Sequence, residues 1–305
     1  MAINWFPGHM HKARKEIKKI MPQMDLIIEV LDARIPFSSE NPLVPALRQD
    51  TPVIKVLNKR DLADPAVTRQ WQENLEQDKA VRAITLTHNQ RAEAMAILKL
   101  AREMTAHRNL ERSALRVMIL GIPNVGKSTL INTLAGRVVA KTGNEPAVTR
   151  AQQIIKLQDN ILLYDTPGFL WPKLSPEACG YRLAVTGAIR AAVLEFDDVA
   201  LFAAEYLLTA YPDALKGRYG LDPLPESGLA VMDAIAARRN FYSRGGVPDL
   251  HKVSEVLLNE FRSGKLGAIS LETPAMVAEE TRLEAQAKAQ REQVESEKNL
   301  KRKKR

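Results

Sequence analysis

The chain has 305 residues, 45% of them hydrophobic, and its 44 Lys and Arg against 36 Asp and Glu give a formal net charge of +8. That is enough for a full core and a second, smaller domain, and no apolar run approaches the ~20 residues that cross a bilayer. One cysteine, Cys179, excludes an internal disulfide and a cysteine-built metal centre. With no basic-then-apolar signal at Met1 to Trp5, a cytoplasmic, reducing setting is expected. The positive excess points to a polyanion, nucleic acid ahead of anionic membrane. Much of it lies at Lys298 and Lys301-Arg302-Lys303-Lys304-Arg305.

Residues 1–22 read as an N-terminal segment and a basic helix. Trp5-Phe6-Pro7-Gly8-His9-Met10 is too rich in Pro, Gly and aromatics for a helix interior. From Lys12 to Met21 the spacing of Ala13, Ile17 and Ile20 predicts a helix that Pro22 ends. Residues 23–173 alternate strand and helix. Leu26 to Leu31 (apolar except Glu29), Pro52 to Leu57, Val81 to Leu86, Leu115 to Leu120, Gln153 to Leu157 and Asn160 to Tyr164 predict strands. Ala66 to Gln77 and Ala92 to His107 predict helices. The fold class is therefore α/β, with a mostly parallel sheet covered on both faces. Beyond about Trp171 the strand signals stop. Val199, Phe202, Ala203, Tyr206 and Leu207 recur at helical spacing after Asp197-Asp198, read as an N-cap. Leu250, Val253, Leu257 and Phe261 do the same, so residues 174–272 form a smaller all-α domain. Residues 273–305, rich in Ala, Glu, Gln, Lys and Arg, read as an exposed helix or flexible tail.

The chemistry centres on Gly121-Ile122-Pro123-Asn124-Val125-Gly126-Lys127-Ser128-Thr129, between the Leu115–Leu120 strand and an apolar helix. This is a P-loop: its glycines let backbone N–H groups, those of Asn124 to Thr129 among them, turn toward phosphate oxygens at a helix N-terminus. Lys127 would place a cation at the β- and γ-phosphates, and Ser128 a hydroxyl on Mg²⁺. Asp165-Thr166-Pro167-Gly168 ends a later strand; its carboxylate would hold Mg²⁺, partly through water, and the Gly168 N–H would meet the γ-phosphate. Asn58-Lys59-Arg60-Asp61 decides the base. The Asp61 carboxylate can accept from guanine N1–H and its 2-amino group, Asn58 contacts the base's other edge, and the Lys59 stem covers the ring. GTP and GDP are thus expected over adenine nucleotides. Thr149 is the candidate switch threonine, completing the Mg²⁺ shell only when a γ-phosphate is present. For a fifth, guanine-contacting element the best placement is Thr87-His88.

In most GTPases the P-loop comes first and Asn-Lys-x-Asp last; here Asn-Lys-x-Asp precedes the P-loop. A circular permutation preserves the sheet in space if the break opens after Asp-x-x-Gly, which runs the second switch directly into the helical domain. The position after Asp-x-x-Gly is Phe169, where Ras-like enzymes carry a water-orienting Gln. Hydrolysis by the chain alone is therefore expected to be slow.

With these motifs, and with Asp32-Ala33-Arg34-Ile35-Pro36, Trp171-Pro172-Lys173 and Gly264-Lys265-Leu266-Gly267, the sequence resembles the circularly permuted GTPases, most closely the RbgA/YlqF family of ribosome-biogenesis GTPases. The resemblance covers nearly all of residues 1–272. It implies a GTPase acting late in maturation of the large ribosomal subunit; a monomer is the expectation for the chain itself. The precursor particle, its rRNA and ribosomal proteins would be its partners, with rRNA met by the helical domain. It also suggests His9 as a residue that orients the attacking water, and Asn124 as a ligand for K⁺. The sequence departs from the family pattern at Thr87-His88, where a Ser-Ala-like pair is usual, and at Ala147 in Pro146-Ala147-Val148-Thr149. A second reading keeps the fold but makes the chain a GTP-regulated RNA-binding module in which hydrolysis is incidental.

Overall fold

The structure is a computed structural model. It describes residues 15–87, 90–106, 108, 113–140, 153–168, 170–171, 174–189 and 196–303, with side chains to 294. His9, His88, Thr149 and Phe169 lie outside them, as do Pro172-Lys173 and the Trp5–Met10 motif.

Among the described residues six strands form one sheet: β1 Leu26–Asp32, β2 Val53–Asn58, β3 Val81–Thr85, β4 Leu115–Gly121, β5 Gln153–Lys156 and β6 Ile161–Asp165. Their order is β3-β2-β1-β4-β6-β5, parallel throughout except for the edge strand β5, which runs antiparallel to β6. The strands fall on the apolar runs within a residue or two. β1 is buried along its whole length, as a central strand covered on both faces must be. Of its two carboxylates, Asp32 ends the strand, while Glu29 at its middle pairs in register with Lys55 of β2 and accepts from the Asn41 amide at 2.8 Å. Burial outweighs the Lys55 charge and pushes the Glu29 carboxyl up to about 7.

A short helix α1 (residues 15–20) precedes β1 and gives way to a 3-10 turn, Met21–Gln23, that holds Pro22. Two helical turns, α2 Pro36–Ser39 and α3 Leu43–Leu47, join β1 to β2. α4 Pro65–Leu75 opens on a capping Asp64 whose carboxylate accepts from the Ala66 and Val67 amides, and buries Val67, Trp71 and Leu75. α5 Arg91–Met104 buries Ala94, Ile97, Leu98 and Ala101. α6 Lys127–Ala135 buries Leu130, Ile131 and Leu134, and ends on left-handed Gly136.

Among the described residues past Trp171 the regular structure is helical apart from a single bridge between Tyr242 and Pro248. α7 Glu177–Val185, α8 Phe196–Ala210, α9 Pro212–Tyr219, α10 Gly228–Arg239 and α11 Leu250–Arg262 pack largely around α8, whose Val199, Ala203 and Leu207 are buried. Asp197 and Asp198 lie inside the first turn of α8 and not ahead of it as a cap; there two carboxylates meet the positive end of the helix dipole.

The last helix, α12 Pro274–Lys303, is tied down at its start. Val277 joins Leu31, Leu57 and Trp71 in a second small core on the α4 side of the sheet. The buried Glu272 accepts from the Ser38 amide at 2.9 Å, and the Trp71 indole donates to its carbonyl at 3.0 Å. Arg182 of α7, 2% exposed, donates to Glu280 of α12 at 2.8 Å. Ser175, ten residues after Asp165, bonds Glu284.

Candidate active site

The sheet changes direction between β1 and β4: from β1 the order proceeds to β2, and from β4 to β6. In a parallel sheet the crevice at the carboxyl ends of the two strands flanking such a point is where ligands bind. Here the registers Val30↔Gly121, Asp32↔Asn58 and Ile119↔Asp165 bring Asp32, Asn58, Gly121 and Asp165 to the same edge.

The P-loop leaves β4 at Gly121 and reaches α6 at Lys127 through two left-handed residues, Asn124 (φ 59°) and Gly126 (φ 97°). Gly126 is required on two counts. Its φ is one that side-chain-bearing residues avoid, and a Cβ would lie 2.2 Å from Asn58 Nδ2. That close approach lets Asn58 Nδ2 donate to the Val125 carbonyl at 2.8 Å. Lys59, itself left-handed at φ 60°, sends its Nζ to the Asn124 carbonyl at 2.9 Å and to Asp32 Oδ2 at 2.8 Å. The two motifs, far apart in sequence, thus form one continuous surface. Asp61, two residues on, is exposed. Gly168 lies against the P-loop from the other side, where a Cβ would come 3.3 Å from the Pro123 nitrogen.

Thr87 lines a pocket together with Asn58, Gly126, Thr129, Leu130, Gln90 and Ala94. Its position depends on a bracket at the third residue of the Asn58–Asp61 motif. Arg60 donates to Glu93 at 2.9 Å, and the other Glu93 oxygen accepts from the Thr87 amide at 3.1 Å. Arg60 and Glu93 carried no sequence signal of their own, because this contact joins the turn after β2 to the first turn of α5 and obeys no local spacing. Asp32 and Arg34 stood in a motif without a role. Asp32 Oδ1 accepts from the Arg34 amide and Nε, and Oδ2 from Arg34 Nη2 at 2.7 Å. Burial raises the Asp32 carboxyl, but the charges of Arg34 and then Lys59, with their hydrogen bonds, outweigh it and hold the group far below the carboxylate range.

At the phosphate end Lys127 and Asp165, both buried, form an ion pair. Burial pushes the Lys127 ammonium down and the Asp165 carboxyl up, each opposed by the other's charge. A desolvated pair of this kind is held only while both partners are present. Asp165 Oδ2 is buried with no hydrogen-bond partner among the described residues. This orphaned carboxylate oxygen and the half-buried hydroxyl of Ser128, the residue after Lys127, are an all-oxygen donor set that suits Mg²⁺. No cluster of three His, Cys, Asp or Glu occurs among the described residues. A metal here would therefore be shared with ligand phosphates, as Mg²⁺ commonly is. Asn124 turns elsewhere: its Nδ2 donates to the Gly187 carbonyl, at the end of α7, at 2.9 Å. The structure thus brings together Asn58, Lys59, Thr87, Asn124, Val125, Gly126, Lys127, Ser128, Thr129, Asp165 and Gly168. Thr149, His9 and His88 stand outside its description.

A mostly parallel sheet with a P-loop after β4, Asp-x-x-Gly after β6 and Asn-Lys-x-Asp ahead of both, after β2, is the fold of a circularly permuted P-loop GTPase. Residues 116–208 match the family described as 50S ribosome-binding GTPase. The chain is 42% identical over 283 residues to ribosome biogenesis GTPase A of Priestia megaterium, covering 90% of this chain and 98% of that protein. It is 32% identical to mitochondrial ribosome-associated GTPase 1 of Mus musculus, over 88% and 89% of the two. Among solved structures, GNP-bound YlqF from T. maritima superposes with a TM-score of 0.61 at 26% identity, over 86% of this chain and 98% of that one. The chain belongs to the ribosome biogenesis GTPase A family, and it is a GTPase of ribosome biogenesis.

Proposed function

We propose that the chain is a GTP-hydrolysing assembly factor for late maturation of the large ribosomal subunit. In this reading it binds the precursor particle through rRNA and ribosomal proteins, with rRNA met by the helical domain over residues 174–272, and leaves after hydrolysis. The observation that carries the reading is the contact of Asn58 and Lys59 with the P-loop carbonyls of Val125 and Asn124. It supports one site with a base end and a phosphate end.

Asn58 and Asp61 would read the guanine edge, with Thr87 and His88 beside it, and the stem of Lys59 would cover the ring. The N–H groups of Asn124 to Thr129 would cradle the phosphates. Lys127 would leave Asp165 for the β- and γ-phosphate oxygens, and the Gly168 N–H would take the γ-phosphate. Ser128, Asp165 and, in the triphosphate state, Thr149 would hold Mg²⁺, which when bound neutralises charge on the phosphates.

Phe169 offers no proton acceptor at the water-orienting position. His9, a K⁺ ion held by the Asn124 amide oxygen, or the particle itself would complete the catalytic set. The protein acts as a cytoplasmic monomer in this reading; no described helix is long and apolar enough to cross a membrane. The test is GTP turnover with and without purified large ribosomal subunits, in K⁺ and in Na⁺ buffer. Stimulation by the subunits, greater in K⁺, is expected. Turnover unchanged by subunits, without co-sedimentation, would overturn the assembly role. In that case the module reading, with incidental hydrolysis, also needs another partner.

A further inference from the structure

We propose that Arg34 is a positioning residue through which the docking of α11 sets Lys59, and with it the affinity for guanine nucleotide. The proposal rests on the GTP-site reading above and concerns how the rest of the molecule reaches that site.

Arg34 is 2% exposed, between the carboxyl end of β1 and α11. Three of its N–H groups are spent on Asp32, whose Oδ2 in turn holds Lys59. The remaining nitrogen, Nη1, is buried with no hydrogen-bond partner among the described residues. A buried guanidinium left partly unsatisfied is costly. What offsets the cost is the ring of Phe261 in α11, whose centroid lies 5.3 Å from Arg34 Cζ. A cation over an aromatic face is attracted by the ring quadrupole, more strongly when water is excluded. The Arg34 carbonyl is engaged as well, accepting from the Leu271 amide at 2.8 Å.

A second path leads back to the same helix. Asn124, whose carbonyl accepts from Lys59, donates its side-chain amide to the Gly187 carbonyl. Gly187 lies under Arg262, the next residue of α11: a Cβ there would meet Arg262 Nε at 3.4 Å. Arg262 caps the end of α7 through the Val185 and Ala184 carbonyls, both at 2.8 Å. Phe261, Arg34, Asp32, Lys59, Asn124, Gly187 and Arg262 therefore form a closed circuit that begins and ends on adjacent residues of α11. Displacing α11 draws on the base-side lysine and the P-loop asparagine together. By linkage, a partner that shifts α11 changes nucleotide affinity, and nucleotide changes affinity for that partner by the same factor.

The test titrates the full chain with GDP in Mg²⁺ buffer by calorimetry, alongside thermal unfolding without nucleotide. Phe261→Leu should weaken GDP binding about five-fold, about half the free energy of one desolvated cation–π contact, and Phe261→Trp should restore wild-type affinity. Arg34→Met should weaken it by about 30-fold, within the usual span of coupling between sites. Should that variant not fold, the Phe261 pair decides. In an Asp32→Asn background, Phe261→Leu should have no further effect on GDP affinity while still lowering the unfolding temperature. Unchanged GDP affinity in Phe261→Leu would overturn the proposal. So would an effect of the same size with Asp32 replaced, because Phe261 would then not act through Arg34 and Asp32. A wild-type chain that bound GDP no better than ADP would instead overturn the GTP-site reading itself.

Discussion

The base end and the phosphate end of the site are built on opposite terms. At the base end Asn58, Lys59, Arg60 and Glu93 each have a partner within the protein. Asn58 bonds Val125, Lys59 bonds Asn124 and Asp32, and Arg60 and Glu93 fix Thr87. At the phosphate end Lys127 is paired with Asp165, the two groups that the triphosphate and its metal would claim, and Asp165 Oδ2 has no partner among the described residues. The first region is preorganised and ready to recognise a base. The second is self-compensated, and ligand must open it. A site of this kind separates recognition from chemistry, and in the function proposed above the chemistry waits for a further group.

Substitutions at the two ends should break this contrast differently. Lys127→Ala removes the phosphate cation and leaves Asp165 buried and alone. GTP turnover should fall by about 10³-fold or more, the range for losing a transition-state charge partner, with a raised Asp165 carboxyl detectable by NMR titration. Asp61→Asn strips the base end of its charged acceptor. Guanine nucleotide binding should weaken by about 10²- to 10³-fold, the loss of two charge-assisted bonds, and preference should turn toward xanthosine nucleotides in a competition assay. Retained guanine preference would remove Asp61 from the base pocket.

Gly126→Ala acts where the two ends meet. The left-handed backbone, with the Cβ clash on Asn58 Nδ2, should cost roughly 1–3 kcal/mol of stability by denaturant titration, and GDP affinity should fall with it. The smallest effect should come from Glu29→Gln, beneath both ends in the middle of the sheet. The folded-state carboxyl lies at about 7 against an ordinary 4.5, so its contribution to stability is fully present below pH 4.5 and lost as pH rises through about 7. Glu29→Gln should remove that decline, so that the variant gains on wild type as pH rises from 4.5 to 8, with little difference at pH 4.5, by denaturant titration at each pH.

The sequence made much of the sheet legible, because a covered parallel strand is a continuous apolar run and its motif residue follows directly. Asn58 and Asp165 proved to be the last residues of β2 and β6, and Gly121 of β4. The site's long-range assembly was far less legible. That Lys59 reaches Asp32, or Arg60 reaches Glu93, follows from which strands are neighbours, and neither contact leaves a periodic trace in the chain. α12 was harder still. Its composition describes a solvated surface, yet Val277 completes a core and Glu280 and Glu284 bind Arg182 and Ser175. A few anchoring residues at one end of a charged helix are lost in the average over its length. The left-handed residues were a middle case: Gly126 was expected from the P-loop motif, whereas φ 60° at Lys59 appears only once its side chain must turn back to the P-loop.

The contrast between the two ends is tested most directly by amide hydrogen exchange of the full chain with and without a non-hydrolysable GTP analogue and Mg²⁺. The account predicts that the Ala33 amide, bonded to the Asn58 carbonyl, and the Leu86 amide, bonded to the Leu57 carbonyl, exchange at the same rate in both states. The amides of residues 165–168 and of the P-loop from Asn124 to Thr129 should slow strongly on binding. Strong new protection at Ala33 and Leu86, with none at Asp165 to Gly168, would contradict it.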